Sequence, residues 1–287
     1  MLFLTLKTVR TIASLRENLH GWRAHEETVA LVPTMGNLHA GHLSLVELAR
    51  TLADRVVVSI FVNPTQFGPG EDFAAYPRTL DQDRRLLTRA NVDILFAPPV
   101  EAIYPQRERA GTVVSVPELS QVLCGEFRPG HFDGVASVVT RLFNLVQPDI
   151  AVFGQKDYQQ LLVIRRLQAD LHLTVRVVAG PTLREPDGLA LSSRNQYLDA
   201  DGRARAPALH LALANCAERL RRGDRAFGAL EKRGQAELVS AGFFPDYFSI
   251  RNAADLSLPN PASRNLVVMA AGHLGRARLI DNELVEL

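Results

Sequence analysis

Val29-Ala-Leu-Val-Pro-Thr-Met-Gly-Asn-Leu-His-Ala-Gly-His-Leu-Ser-Leu-Val-Glu-Leu48 decides the fold. Val29 to Val32 are an apolar run of buried-strand type, and Pro33 marks its end. From Leu43, apolar residues return at helical spacing (Leu43, Val46, Leu48, Ala49), which predicts a helix over 42–53. The joining turn carries Gly36, Gly41 and two histidines three residues apart, His39 and His42, whose rings then share one side of the first helical turn. Backbone N–H groups at a helix start attract phosphate, and Gly41 lets a flat ligand such as a purine lie against the backbone. Histidines placed there can hold charge that develops on phosphate oxygens. The plainer alternatives are solvated caps or half of a metal site, although neither a Cys pair nor a His-rich tract supplies a third ligand.

Outward from this turn, residues 55–62 are a second, nearly continuous apolar strand, the kind found in parallel sheets covered on both faces. Strand, helix and strand within so short a span make a βαβ unit. Residues 8–24 read as an amphipathic helix with Val9, Ile12, Leu15 and Leu19 on one face. The Gly- and Pro-rich stretch 63–73 follows a strand's carboxyl end, where open α/β sheets bind ligands. With Asn63, Gln66 and Tyr76 it is either a substrate wall or lid, or a plain crossover loop. Helices are expected over 79–90, 135–146 and 158–170, and strands over 92–97, 111–116, 148–153 and 173–178, with a polar turn at 124–134. Arg128 and His131 in that turn suit either anion contact or capping. Gly154-Gln-Lys-Asp157 repeats the first design of strand, glycine turn, charged group and helix.

The loop-rich stretch 180–188 ends the alternation. Two helices (199–222, 226–241) and three short strands (246–251, 265–271, 277–281) follow. The expected architecture is therefore α/β: a Rossmann-like, doubly wound parallel-sheet domain over 1–182, then a smaller α+β C-terminal lid domain over 183–287.

Composition leaves other classes little room. A chain of 287 residues with 47% hydrophobic and 22% charged residues is ordinary for a soluble globular protein. A formal net charge of +1 gives no reason to invoke nucleic acid or a membrane surface. Cys124 and Cys216 belong to no motif, which fits a reducing compartment, and Met1 to Leu6 lacks the features of a signal peptide. With only strand-sized apolar runs, a cytoplasmic location is expected.

Ser192-Ser-Arg-Asn195 offers two hydroxyls and a guanidinium to a polyphosphate, though such strings also occur in surface loops. Lys156 opposes the helix dipole at a helix start, which a phosphate ligand would explain. These pieces carry a resemblance. Pro33-Thr-Met-Gly-Asn-Leu-His-Ala-Gly-His42 holds the His-x-Gly-His signature of the nucleotidylyltransferase superfamily. Ser59-Ile-Phe-Val-Asn-Pro-Thr-Gln-Phe67, Tyr76-Pro-Arg-Thr-Leu80, Arg128-Pro-Gly-His-Phe132, Phe143-Asn-Leu-Val-Gln-Pro-Asp149, Gly154-Gln-Lys-Asp157, Gly188-Leu-Ala-Leu-Ser-Ser-Arg-Asn195 and Ala277-Arg-Leu-Ile-Asp-Asn282 resemble the pantothenate synthetase (pantoate–β-alanine ligase) family in order and spacing. The likeness spans nearly the whole chain, with little of it in the helices at 199–241.

The resemblance implies ATP-dependent joining of (R)-pantoate to β-alanine through pantoyl adenylate, with Mg2+ held mainly by the phosphates, and a homodimer. It also assigns residues. Met35, Gly36, Asn37, Leu38, His39, Ala40, Gly41 and His42 form the ATP turn, His42 being the acid/base-type residue with His39 beside it. Gly154, Gln155, Lys156 and Asp157 bind nucleotide, with Lys156 on the phosphates; Leu183 touches adenine, and Leu191, Ser192, Ser193 and Arg194 close over the phosphates. Gln66 and Gln160 are the pantoate contacts, with Gln66 also near β-alanine, while Asn63, Tyr76, Arg128 and His131 are further candidates around the substrates. The family usually has Glu at Gln155 and at Cys124, and loss of the second carboxylate would weaken the pairing that orients Arg128. Two rivals remain. A transferase acting on a phosphate ester would place a basic cluster at the acceptor, where neutral Gln66 and Gln160 stand. A catalytically silent ATP-binding protein has no need of intact His39, His42, Lys156 and Arg194.

Overall fold

A computed structural model of the chain describes residues 6–71, 73–105 and 111–287. Residues 1–5, most of the stretch read above as lacking signal-peptide features, and Asp72 of the 63–73 loop lie outside it. The chain divides into two compact units, residues 1–155 with 163–181, and residues 156–162 with 182–287.

The first unit is built on a six-stranded, all-parallel sheet: β1 (Lys7–Val9), β2 (Val29–Thr34), β3 (Arg55–Ile60), β4 (Ile94–Phe96), β5 (Ile150–Gly154) and β6 (Arg176–Gly180), in the order β1-β4-β3-β2-β5-β6. Its helices are α1 (Ile12–Arg23), α2 (Ala40–Arg50), α3 (Leu80–Arg89), the short α4 (Val100–Ile103) and α5 (Cys124–Phe127), α6 (His131–Val146), and α7 (Tyr158–Asp170), through which the division into units passes. Alternate strand residues pack on opposite faces. Ala30, Val32, Val58 and Val152 form a core with Leu45, Val46 and Ala49 of α2 and Leu87 of α3. On the other face Phe153 meets Phe143 of α6 edge-on at 6.3 Å. Strand order reverses at β2, which has β3 on one side and β5 on the other. The β2–β5 ladder pairs only Ala30 with Ile150 and Leu31 with Ala151, so the strands part before their carboxyl ends. A crevice at a switch point is where such sheets bind ligands.

The second unit has a three-stranded antiparallel sheet, β7 (Phe244–Asn252), β8 (Asn265–Leu274) and β9 (Ala277–Glu286). Helices α8 (Ala200–Arg205), α9 (Ala208–Arg221) and α10 (Phe227–Ser240) complete it. Leu213 and Leu220 of α9, Leu230 and Leu238 of α10, and Phe248, Ile250, Val268 and Ala270 of the sheet share one core. Cys124 and Cys216 are buried, and neither is in a disulfide among the described residues.

The fold class agrees with expectation, and the differences have physical causes. Residues 7–9 are an edge strand, and the first helix begins at Ile12 because Thr11 caps it, accepting from Ser14 N at 3.2 Å. Pro33 sits inside β2 opposite Ser59: past Leu31 the strand has only β3 as partner, so a missing donor is tolerated. Residues 111–116 form no strand; Val114 is bonded through its N–H to the Ser137 hydroxyl at 2.9 Å instead of to a ladder. The turn at 124–134 contains α5, and α6 starts at His131 because Gly130, with φ of 79°, supplies a left-handed entry. The β6 expectation fell a few residues early, since Leu173 still bonds back to Gln168 and closes α7. The expected 199–222 helix is two helices, broken at Pro207, which has no N–H to donate although it and Ala206 keep right-handed helical angles.

Candidate active site

The turn after β2 is fixed atom by atom. The Thr34 hydroxyl donates to Ser59 O (2.8 Å) and accepts from Gly36 N (3.2 Å). Gly36 and Asn37 both have positive φ, 83° and 52°, a left-handed conformation that Gly and Asn tolerate better than other residues. Asn37 N and Leu38 N donate to the Asp83 carboxylate at 3.0 and 2.8 Å. His39 is the N-cap of α2, and its Nδ1 accepts from Gly41 N at 3.1 Å. His42 answers reciprocally, its Nδ1 accepting from His39 N at 3.3 Å, and the two rings lie 4.1 Å apart, tilted by 44°. A ring nitrogen that accepts from a backbone N–H carries no proton, so each neutral ring carries its proton on Nε2. The sequence pointed to backbone N–H groups and to the two histidines as anion donors. The N–H groups of His39 and Gly41 are taken by the rings and those of His42 and Leu43 by His39 O, which leaves the Nε2 side of each imidazole as the donor face these bonds do not use.

The 63–76 loop touches this turn. Gln66, on a 3₁₀ turn (Pro64–Gln66), donates from Nε2 to Met35 Sδ at 3.2 Å. Asn63 is almost fully buried; its amide donates to Gln66 Oε1 (2.9 Å) and Gly134 O (3.1 Å), and its Oδ1 accepts from the Thr65 hydroxyl and Tyr104 OH, both at 2.9 Å. Its polar atoms are thus engaged in holding Gln66. Arg128 grips Glu71 with two bonds (2.8 and 2.6 Å) and meets His131 Nε2 at 3.0 Å, while His131 Nδ1 lies 2.8 Å from Gln66 O. These two residues therefore fasten the loop to α6. Tyr76 is buried and packs edge-on against Phe67 at 5.9 Å.

Gly154, at the end of β5, and Gln155 leave the strand beside β2. In the second unit Lys156 and Asp157 lie on a 3₁₀ turn that begins at Gln155, and Asn282 donates to Lys156 O at 2.8 Å. Lys156, Ser192, Asn195, His210 and Asp281 line one small cleft. Leu191 N bonds to Leu183 O (3.0 Å), closing a narrow hairpin ahead of a second 3₁₀ turn, Ser193–Tyr197, that holds Arg194 and is capped by Ser192. Arg184 in that hairpin pairs bidentately with Asp281, at 2.6 and 3.0 Å. Gln160 lies half-buried in the first turn of α7.

Four of these supporting side chains escaped the sequence reading: Glu71, Asp83, Arg184 and Asp281. Asp83 left a trace, since it stands four residues before Leu87, on the apolar stripe of α3, where both are buried. Glu71 supplies the carboxylate that Cys124 was expected to cost Arg128. Burial raises the Glu71 carboxyl, but the bond and charge of Arg128 outweigh it and hold the group below its ordinary range. A depressed folded value means that this contribution is complete above about pH 4.3 and is lost as pH falls through the folded value. Glu71→Gln should loosen the loop at neutral pH, read as several-fold faster limited proteolysis within 63–76. An unchanged cleavage rate would show that the pair does not fasten the loop.

Comparison with known proteins bears on this geometry. A family model for pantoate-beta-alanine ligase matches residues 7–284. The chain is 56% identical over 282 residues to a pantothenate synthetase from Nitrosococcus oceani, spanning 98% of this chain and 99% of the relative. One from Thioalkalivibrio sulfidiphilus is also 56% identical, with the same coverage. A crystal structure of pantothenate synthetase from Thermus thermophilus superposes with a TM-score of 0.90 at 48% identity, covering 97% of this chain and 99% of that one. A Francisella tularensis pantoate-beta-alanine ligase, described as complexed with beta-gamma ATP and beta-alanine, has a TM-score of 0.81 at 32% identity, with 97% of both chains covered.

Proposed function

The chain belongs to the pantoate-beta-alanine ligase family, and from that premise we propose how its residues join (R)-pantoate to β-alanine with ATP. The enzyme is an AMP-forming carbon–nitrogen ligase. Pantoate's carboxylate oxygen attacks the α-phosphorus; an O–P bond forms, the bond to the β-phosphate oxygen breaks, and pyrophosphate leaves with that electron pair. The β-alanine nitrogen then attacks the acyl carbon of pantoyl adenylate, AMP departs with the acyl–oxygen pair, and the amine loses a proton to give pantothenate.

The observation that carries this reading is the reciprocal cap of His39 and His42. It turns the Nε2 side of both rings away from the cap in a fixed orientation, and donors that need not reorganise are the effective ones where phosphate charge builds up. His42 acts here as a hydrogen-bond donor to the reacting phosphate, with His39 beside it. Met35 to His42 and Gly154 to Asp157 cradle the nucleotide, Leu183 contacts its adenine, Lys156 binds phosphate oxygens, and Leu191, Ser192, Ser193 and Arg194 close over the phosphates. Gln66 and Gln160 hold pantoate. Asn63, Arg128 and His131 serve by holding Gln66 and its loop, and Tyr76 by packing that loop. Among the described residues no group of three or more His, Cys, Asp or Glu side chains is arranged to hold an ion. Mg2+ would come with ATP, held mainly by the phosphate oxygens, whose charge it would offset.

ATP–pyrophosphate exchange without β-alanine tests the reading: exchange should require pantoate. ATP binding with no exchange would return the silent-protein alternative, and exchange driven by a phosphate ester the transferase. We also place the enzyme in the cytoplasm as a homodimer, which sedimentation equilibrium would reveal as twice the 31.6 kDa chain mass. No described helix is long and apolar enough to cross a membrane.

A further inference from the structure

We infer that Asp83 is a positioning residue for adenylate formation: its buried carboxylate holds the histidine turn in the shape from which His39 and His42 reach the phosphates. The inference rests on the reading of that turn as the ATP site. Asp83 is 1% exposed and stands in the first turn of α3, and among the described residues no cationic side chain pairs with it. It accepts from Asn37 N with Oδ2, from Leu38 N with Oδ1 and from the Thr79 hydroxyl with Oδ2 at 3.2 Å. A buried carboxylate without a countercharge is stabilised by such bonds alone, and adjacent backbone donors suit its two oxygens.

The geometry says what these bonds are for. Gly36 and Asn37 are consecutive left-handed residues; both residue types tolerate this conformation without enforcing it, so the bonds to Asp83 are what select it. Space for other conformations exists, because a cavity of about 380 Å3 lies against Met35, Gly36, Ile60 and Asp83. Sterics along one edge do not hold the turn. A Cβ on Gly36 would approach Ile60 Cγ2 at 3.0 Å and Asp83 Oδ2 at 3.1 Å, so Asp83 also fills the one place where the turn is tight. Leu38 is the residue immediately before the cap, so freeing its N–H lets His39 and the reciprocal His42 bond shift together.

Asp83→Asn and Thr79→Val separate this role from helix capping. The amide keeps the size of Asp83 but has only one acceptor oxygen, so one turn N–H faces an NH2 group. Thr79→Val leaves both turn bonds and removes only the third. In pantoate-dependent exchange, Asp83→Asn should lower kcat at least tenfold and raise the ATP KM at least tenfold, while the pantoate KM moves less than threefold and the protein unfolds cooperatively. Thr79→Val should keep both ATP parameters within threefold. Wild-type ATP parameters in Asp83→Asn, equal losses in the two variants, or proportional loss of all three parameters would each overturn the assignment. Failure of the wild type itself to exchange would count against the site reading instead. Should Asp83→Asn not fold, long-range 15N spectra of the histidine rings in Asp83→Glu decide: the two Nε2–H signatures should be disturbed, and an undisturbed pair rejects the role.

Discussion

His42→Ala lowers the rate of pantoate-dependent ATP–pyrophosphate exchange by about 10²–10³-fold, the cost of losing one preorganised donor at a developing charge, and weakens ATP binding far less. The split follows from where the donor acts. Charge on the transferring phosphate rises most in the transition state, so the Nε2–H contact is worth more there than in the ground state. Alanine also removes the acceptor for His39 N, a capping bond of 3.3 Å. Its loss costs about 0.5–2 kcal/mol of stability. The two effects are separable with His42→Gln, because glutamine at this third helical position can accept from the cap's N–H as in an ordinary capping box. That variant should keep the melting temperature yet still lose most of the rate, since its amide donor cannot stand where the imidazole Nε2 does. Equal losses in kcat and ATP affinity for His42→Ala would remove His42 from the transition state.

Much of this was legible because it is local. A strand, two glycines and two histidines at helical spacing announce a nucleotide turn, and the apolar runs at 29–32 and 55–62 announce a parallel sheet. What sequence could not supply was direction. Reading His39 and His42 as neighbours on one helical face says nothing about which ring nitrogen accepts from the backbone, and that detail shows which side of each ring faces away from the cap. Nor could it supply partners distant along the chain. Asn63 and Arg128 carry the residue types of substrate contacts, yet their polar groups are engaged with Gln66, Gly134, Tyr104 and Glu71. Only the fold brings Asp83 to the turn, 46 residues from Asn37. Its sole sequence trace is a charge on an apolar stripe, a conflict between levels that tends to mark functional positions.

The same logic makes a glycine with no chemistry of its own a sensitive point. Gly134 lies in the first turn of α6, where alanine would ordinarily improve the helix by about 0.8–1.0 kcal/mol. Here the added Cβ would stand 2.4 Å from Thr65 O, 2.6 Å from Thr65 C and 2.7 Å from Gln66 Cα. All three are backbone atoms of the 3₁₀ turn that carries Gln66, so no flexible side-chain end can yield. Overpacking of this kind costs about 1–3 kcal/mol, which outweighs the propensity gain and fixes the sign. Gly134→Ala should therefore lower the melting temperature by several degrees. It should also raise the pantoate KM at least tenfold, because Gln66 is displaced, while the ATP KM shifts less. Gly21→Ala is the control: it is exposed in α1 with nothing near its added Cβ, so it should leave every kinetic constant unchanged and stability equal or slightly higher. An unaltered pantoate KM in a Gly134→Ala variant whose melting temperature has fallen would mean that the turn is displaced without loss of pantoate binding, and the pantoate role of Gln66 would have to be given up.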